Sequence, residues 1–141
     1  MRALFVCVGN ACRSPMAESL FNLEATKRGR GDAARSAGLL PHTHVCRGSV
    51  EVMRELGVDV SAHKPQLLSP DLVEWADQLI LLDREISYEL AHLPFAKRNE
   101  VLVWDVEDPY GMPVDHFRRV RDHLHRKVEE LFDGDRKGLH E

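Results

Sequence analysis

The sequence lacks the long apolar runs that mark membrane chains. Its longest, such as Leu4–Val8 and Leu79–Leu82, fall far short of the ~20 residues that cross a bilayer. Leu4–Val8 is also too short for the core of a signal peptide and runs straight into Gly-Asn-Ala-Cys-Arg. Cysteine is scarce. An odd total of three argues against a secreted disulfide framework and for a reducing compartment, the cytoplasm. There is no basic surplus: 19 Lys and Arg stand against 23 Asp and Glu, a net charge of −4. That balance excludes a nucleic-acid partner, and the arginines, spread among Asp and Glu, read as a solvated mixed-charge surface. No internal repeat and no interdomain linker interrupts the chain.

What is present is an alternation of short β-type runs with longer helical patterns. At 141 residues the chain fits one domain, a domain being typically about 100–200 residues, and it has enough core to need no disulfides or structural metal. Ala3–Val8 reads as a buried central strand, and Ser14-Pro15 as the start of a helix, with Ser14 as N-cap and Pro15 at its first position. Further strands are expected over Ala33–Ala37, Asp77–Leu82 and Glu100–Trp104. Helices are expected from Gly48, with Val52, Met53 and Leu56 inward and Gly57 as the stop, from Ser69-Pro70, and over Arg84–Leu93. Val114, Phe117, Val120, Leu124, Val128 and Leu131 step by three or four, an amphipathic terminal helix. The expected fold is therefore α/β: a single domain over 1–132, doubly wound around a four-stranded parallel sheet with helices on both faces, and a polar, frayed tail over 133–141.

In such sheets ligands sit at the carboxyl ends of strands beside helix N-termini, which directs attention to Cys7-Val8-Gly9-Asn10-Ala11-Cys12-Arg13-Ser14. A short loop curled there turns several backbone N–H groups inward, and the following helix adds its positive end, making an anion cradle. Gly9 and Asn10 are residue types that tolerate a left-handed backbone. Arg13 supplies a planar fork for two phosphate oxygens. A field that binds an anion also favours a thiolate over a thiol, and Ser14 has a hydroxyl to offer the sulfur of Cys7. A nucleophile and a phosphate site in one loop point to attack of sulfur on phosphorus.

The stretch Phe5-Val-Cys-Val-Gly-Asn-Ala-Cys-Arg-Ser-Pro-Met-Ala-Glu18 resembles the phosphate-loop signature of the low-molecular-weight protein tyrosine phosphatases. The resemblance continues through Arg35-Ser-Ala-Gly38, Gly57-Val-Asp-Val-Ser-Ala-His63 and Ala76-Asp77 to Asp108-Pro-Tyr110. It implies a metal-free and cofactor-free phosphomonoesterase with Cys7 as nucleophile, Arg13 as phosphate clamp and Asp108 as general acid and then base. Val8, Gly9, Asn10, Ala11, Cys12, Arg13 and Ser14 would bind the phosphate, and Tyr110 would line the mouth. Ser36 and His63 would hold Asn10 in shape. The implied substrate is a phosphotyrosyl protein or a small aryl phosphate, with phosphate, arsenate and vanadate as anionic ligands. The resemblance also implies a reversible Cys7–Cys12 disulfide guarding the nucleophile, which leaves Cys46 without a task.

Asp105 competes with Asp108 for the acid's place, and the match to Asp-Pro-Tyr favours Asp108. His42 and His44, with His123 and His125, do not make the paired ligand sets of a zinc site and read as loop and surface residues. Residues 39–47 carry no Trp or Tyr, where the family often has a substrate-stacking aromatic. Two other functions share the cradle. One is arsenate reduction recycled by a small thiol or thioredoxin, for which only Cys46 lies beyond the loop. The other is a non-catalytic phosphate-binding module, which would lack the nucleophile or the acid.

Overall fold

In the computed structural model, which describes residues 1–86 and 99–140 and the backbone alone of 135–140, four strands form one parallel sheet. They are β1 (Arg2–Cys7), β2 (Ala33–Gly38), β3 (Gln78–Leu81) and β4 (Glu100–Val103), in the order β2-β1-β3-β4. β1 pairs on both sides, Phe5 lying opposite Ser36 and Ile80, so its residues after Arg2 are all buried. An interior strand of a two-faced sheet has no solvent side, which is why Ala3–Cys7 reads as one apolar run; Val8, read as the end of that strand, lies in the loop beyond it and is exposed.

The pleat sends alternate residues of β1 to opposite layers. Ala3, Phe5 and Cys7 join the larger core with Met16, Leu20 and Phe21 of α1 (Arg13–Lys27), Val52 and Met53 of α2 (Arg47–Arg54), and Phe117, Val120, Leu124 and Val128 of α4 (Val114–His140). Leu4 and Val6 face the smaller core with Leu72 and Val73 of α3 (Pro70–Trp75), Leu79, Leu81 and Ile86. The sheet is therefore covered on both faces, as expected. Phe5 anchors the larger layer through edge and tilted ring contacts to Phe21 at 6.0 Å and Trp104 at 5.5 Å. α2 is tied to α4 by Arg118 and Arg121, whose hydrogen bonds hold the Glu55 carboxyl down to about 2. Phe117 packs flat against Gly48, where a Cβ would lie 2.5 Å from its ring.

Local signals locate the elements to within a residue or two. Ser69 caps α3 by accepting the Leu72 N–H at 3.3 Å, with Pro70 at the first helical position. Gly57 takes φ +75° in the turn after α2. Two readings need correction. Leu56 is not inward: α2 ends at Arg54, so Leu56 lies in the turn beyond it and is 38% exposed. Ser14 is not the N-cap of α1. The helix begins at Arg13 after Cys12, which makes no side-chain cap, because the Ser14 hydroxyl is engaged inside the loop that precedes it. α4 continues past the last apolar step at Leu131 into the stretch read as a polar tail. Most of the helix expected over Arg84–Leu93 lies outside the described residues.

Candidate active site

The segment between β1 and α1 is a loop whose carbonyls all point away from its centre. Five successive oxygens accept from outside: Val8 O from the Leu40 N–H, Gly9 O from the His42 N–H, Asn10 O from the His63 ring, Ala11 O from the Cys46 N–H and Cys12 O from the Ser49 hydroxyl. In a trans peptide the next residue's N–H lies opposite the carbonyl, so the N–H groups of residues 9 to 13 turn inward. Together with the N-terminus of α1 they form a concave array of donors for an anion. Asn10 turns the loop with φ +50°. Gly9 does not share that left-handed conformation; its lack of a side chain serves instead to admit the His42 ring, which a Cβ there would meet at 2.6 Å.

A chain of hydrogen bonds positions the Ser14 side chain. The Gln66 N–H donates to Asn10 Oδ1 at 2.9 Å, which leaves the Asn10 amide nitrogen to donate to Ser14 Oγ at 2.8 Å and Ser36 Oγ at 2.9 Å. Ser14 Oγ lies 3.0 Å from Cys7 Sγ, where its hydroxyl donates to the sulfur when Cys7 is a thiolate. Ser36 in turn donates to Glu18 Oε1 at 2.8 Å. Burial raises the Glu18 carboxyl above its ordinary range against the pull of that bond and of His63. His63 reaches the backbone oxygen of Asn10 at 3.1 Å rather than its amide, and because that partner only accepts, Nε2 carries the hydrogen. Sequence reasoning passed over Gln66 and Glu18. Gln66 acts through its backbone, which no residue type announces, although its side chain also donates to Ser36 O at 2.9 Å.

Arg13 is buried and held from the carboxyl ends of two strands. Its Nη1 donates to Leu82 O at 2.9 Å, just past β3, and to Val106 O at 3.0 Å, past β4. Asp83 Oδ2 lies 3.4 Å from Nη2 and Asp108 Oδ2 3.8 Å from it. Asp108 closes a turn in which its Oδ1 accepts the Tyr110 N–H at 3.1 Å. Asp105, by contrast, pairs with Arg84 at 3.3 Å and is not among the residues that line the cavity.

One cavity of about 120 Å³ gathers these groups, lined by Cys7, Val8, Gly9, Ala11, Cys12, Arg13, His42, Asp108 and Tyr110. Asn10, Ser14 and Ser36 lie behind it, fully buried. The reading of His42 is also corrected. It belongs to the wall, its ring meeting Tyr110 edge-on at 5.0 Å, although the sequence marks it only as a loop histidine. The expected Cys7–Cys12 bridge is corrected as well. Cys12 is bonded to Cys46, 34 residues away, and Cys7 is a free, buried thiol.

Gly38, at the end of β2, supports the loop from beneath. A Cβ there would come within 2.7 Å of Val8 O and 2.9 Å of Asn10 N, both backbone atoms with no room to yield. Gly38→Ala is therefore expected to displace the cradle, lowering kcat/KM by about 10–100-fold, the usual cost of a sub-ångström to 1 Å misplacement. Vanadate affinity should weaken with it; a folded variant with wild-type vanadate affinity contradicts this.

The family of low molecular weight phosphotyrosine protein phosphatases matches the chain over residues 2–140. The chain belongs to it. Arsenate reductase 2 of Staphylococcus epidermidis is 32% identical over 129 residues, spanning 90% of this chain and 92% of that protein. A protein-arginine-phosphatase of Bacillus subtilis is 31% identical over 142 residues, spanning 93% and 94%. The crystal structure of a low molecular weight protein tyrosine phosphatase from T. tengcongensis superimposes with a TM-score of 0.88 at 31% identity, covering 95% of this chain and 99% of its own. The chain is thus an enzyme of this family. No helix among the described residues is long and apolar enough to cross a membrane.

Proposed function

We propose that the protein hydrolyses phosphomonoesters through a cysteinyl-phosphate intermediate on Cys7, with an aryl phosphate such as phosphotyrosine as substrate. The observation that carries the reading is the single cavity shared by Cys7, the inward amides of residues 9 to 13, the pinned Arg13 and Asp108. The amides and Arg13 bind the phosphoryl oxygens and stabilise the charge that spreads over them in the transition state. Cys7 attacks phosphorus, and the Ser14 hydroxyl stabilises its sulfur before attack and again as it leaves. Asp108 gives its proton to the departing oxygen, then takes one from the water that cleaves the thiophosphate. Asp83 steadies the Arg13 fork, its Oδ2 accepting from Nη1 at 3.5 Å and from Nη2 at 3.4 Å.

The aryl preference follows from the mouth. Tyr110, 60% exposed, and the His42 ring set at 90° to it make two adjacent flat walls above the cradle. His42 thereby takes the place of the aromatic that residues 39–47 lack. The relatives divide among three chemistries, which one preparation can be made to choose between. The reading expects a phosphotyrosyl peptide to be hydrolysed with kcat/KM at least tenfold above a phosphoarginyl peptide, and expects no arsenate reduction at a comparable rate. A phosphoarginine preference, or arsenate reduction outpacing ester hydrolysis, would reassign the substrate.

A further inference from the structure

The catalytic cavity is small. At about 120 Å³ it falls below the roughly 300–1,000 Å³ of pockets that enclose a whole ligand. It takes the phosphoryl group and leaves the rest of a polypeptide substrate outside. A larger groove of about 470 Å³ adjoins it. Tyr110 lines both, and the Cys12–Cys46 disulfide joins their walls, with Cys12 on the catalytic side and Cys46 on the other. The floor of the groove is the buried Phe117 ring, which can lie there because residue 48 is glycine. Met112 is an exposed apolar rim beside Tyr110. Charge enters through Arg47, the first residue of α2, which is exposed and makes no hydrogen bond or ion pair with any described residue. Glu51, one turn along α2, also lines the groove without pairing to it; arginine four residues before an acid is the less favourable order on a helix. Arg47 stands at the end of α2 that is tied to the cradle, through the Cys46 N–H to Ala11 O at 2.8 Å. The other way out of the cavity passes Val8 into a hollow of about 270 Å³, whose one charged lining residue among those described is the acid Glu85.

We propose that this groove binds the substrate polypeptide beside its phosphotyrosine, an acidic neighbour pairing with Arg47 and an aliphatic residue beyond it seated on Phe117. The inference rests on the phosphotyrosyl reading of the catalytic cavity and adds a sequence preference to it. The two contacts do different work. Burying an aliphatic side chain on Phe117, between Met112 and Tyr110, removes apolar surface from water on both partners and supplies most of the added affinity. An exposed ion pair contributes less to affinity but discriminates sharply against the wrong sign, so Arg47 selects the acidic neighbour. The same acid on the Val8 side would meet Glu85 and be repelled, which directs the chain to the groove.

Binding is read apart from turnover, by fluorescence polarisation on Cys7→Ser protein with three phosphotyrosyl peptides. The first carries glutamate next to the phosphotyrosine and leucine beyond it on both sides, so that chain direction does not matter. The second has lysine in place of glutamate, and the third has glycine at all four positions. The first is expected to bind about tenfold more tightly than the third. Adding Arg47→Glu is expected to weaken the first peptide by about fivefold and to invert the preference between glutamate and lysine, which general damage to the fold does not do. Should the charge reversal disturb the fold by circular dichroism, Arg47→Ala is expected to abolish that preference. Adding Met112→Ala is expected to cut the advantage of the first peptide over the third by about threefold. In otherwise wild-type enzyme, neither Arg47→Glu nor Met112→Ala is expected to change kcat/KM on nitrophenyl phosphate, too small to reach the groove, by more than about twofold. Equal affinity for the first and third peptides, or binding of neither, overturns the groove. So does an Arg47→Glu protein that still prefers glutamate to lysine. A wild-type enzyme inactive on nitrophenyl phosphate would refute the ester-hydrolysis reading and leave the peptide affinities to decide the groove.

Discussion

Cys7→Ser is expected to lower turnover of an aryl phosphate by about 10⁴-fold or more, the scale on which loss of a nucleophile acts, while vanadate still binds within a few-fold of its wild-type affinity. The two effects separate because different atoms produce them. Anion binding rests on the inward N–H groups of residues 9 to 13 and on Arg13, whose anchors at Leu82 O and Val106 O do not involve position 7. Bond making rests on the sulfur alone. A serine hydroxyl in the same place keeps a contact to Ser14 but is a far weaker nucleophile at neutral pH. Isothermal titration with vanadate and steady-state kinetics on one preparation measure both. Substantial turnover in this variant would move the nucleophile elsewhere. Loss of vanadate binding in a folded variant would make the Cys7 sulfur part of the cradle's architecture.

The second large effect concerns Asp108. Asp108→Ala is expected to reduce kcat/KM by roughly 10²–10⁴-fold on phenyl phosphate, where the leaving oxygen needs a proton, and by far less on a nitrophenyl ester, whose leaving group departs unaided. The dependence on leaving group is the diagnostic part. Asp108 also lies 3.8 Å from Arg13, so a purely electrostatic or structural loss would fall equally on both substrates. Asp105→Ala provides the internal comparison. Its partner is Arg84 at the surface, and its removal is expected to change neither rate by more than about twofold, since surface pairs of this kind contribute little. Equal losses on the two esters in Asp108→Ala would assign Asp108 a structural role.

These expectations draw on features that the sequence exposes to different degrees. The cradle was legible because its determinants are local: a buried strand, a Gly-Asn turn, an arginine and a helix within a dozen residues. The parallel sheet was legible for a similar reason, since β1 has to be apolar on both faces. Asp108 was legible through Asp-Pro-Tyr, and its neighbour Asp105 shows that proximity in sequence alone would not have decided between them. Contacts made over long separations were not legible. Three cysteines allow three pairings, and only the packing of residues 39–46 against the loop, through hydrogen bonds to Val8, Gly9 and Ala11, selects Cys12 with Cys46. The same packing brings His42 to the wall, where a reading of histidines as metal ligands or surface groups had no reason to put it. Ser14 illustrates a competition between local and tertiary signals. Ser-Pro is a strong helix start, yet the hydroxyl is worth more between Asn10 and Cys7, so the helix begins one residue before it. Gln66 fixes the orientation of Asn10 with a backbone N–H, a contribution that no side chain records.

All of this converges on one chemical event, the transfer of a phosphoryl group to the sulfur of Cys7. Acid quenching of the wild-type enzyme during steady-state turnover of an aryl phosphate, followed by proteolysis and mass spectrometry at low pH, looks for that bond directly. The account predicts a phosphorylated peptide containing Cys7, formed and lost at rates compatible with kcat and absent from Cys7→Ser. Phosphate carried by another residue, or steady turnover with no phosphorylated enzyme when the second step is shown to be rate-limiting, would contradict it.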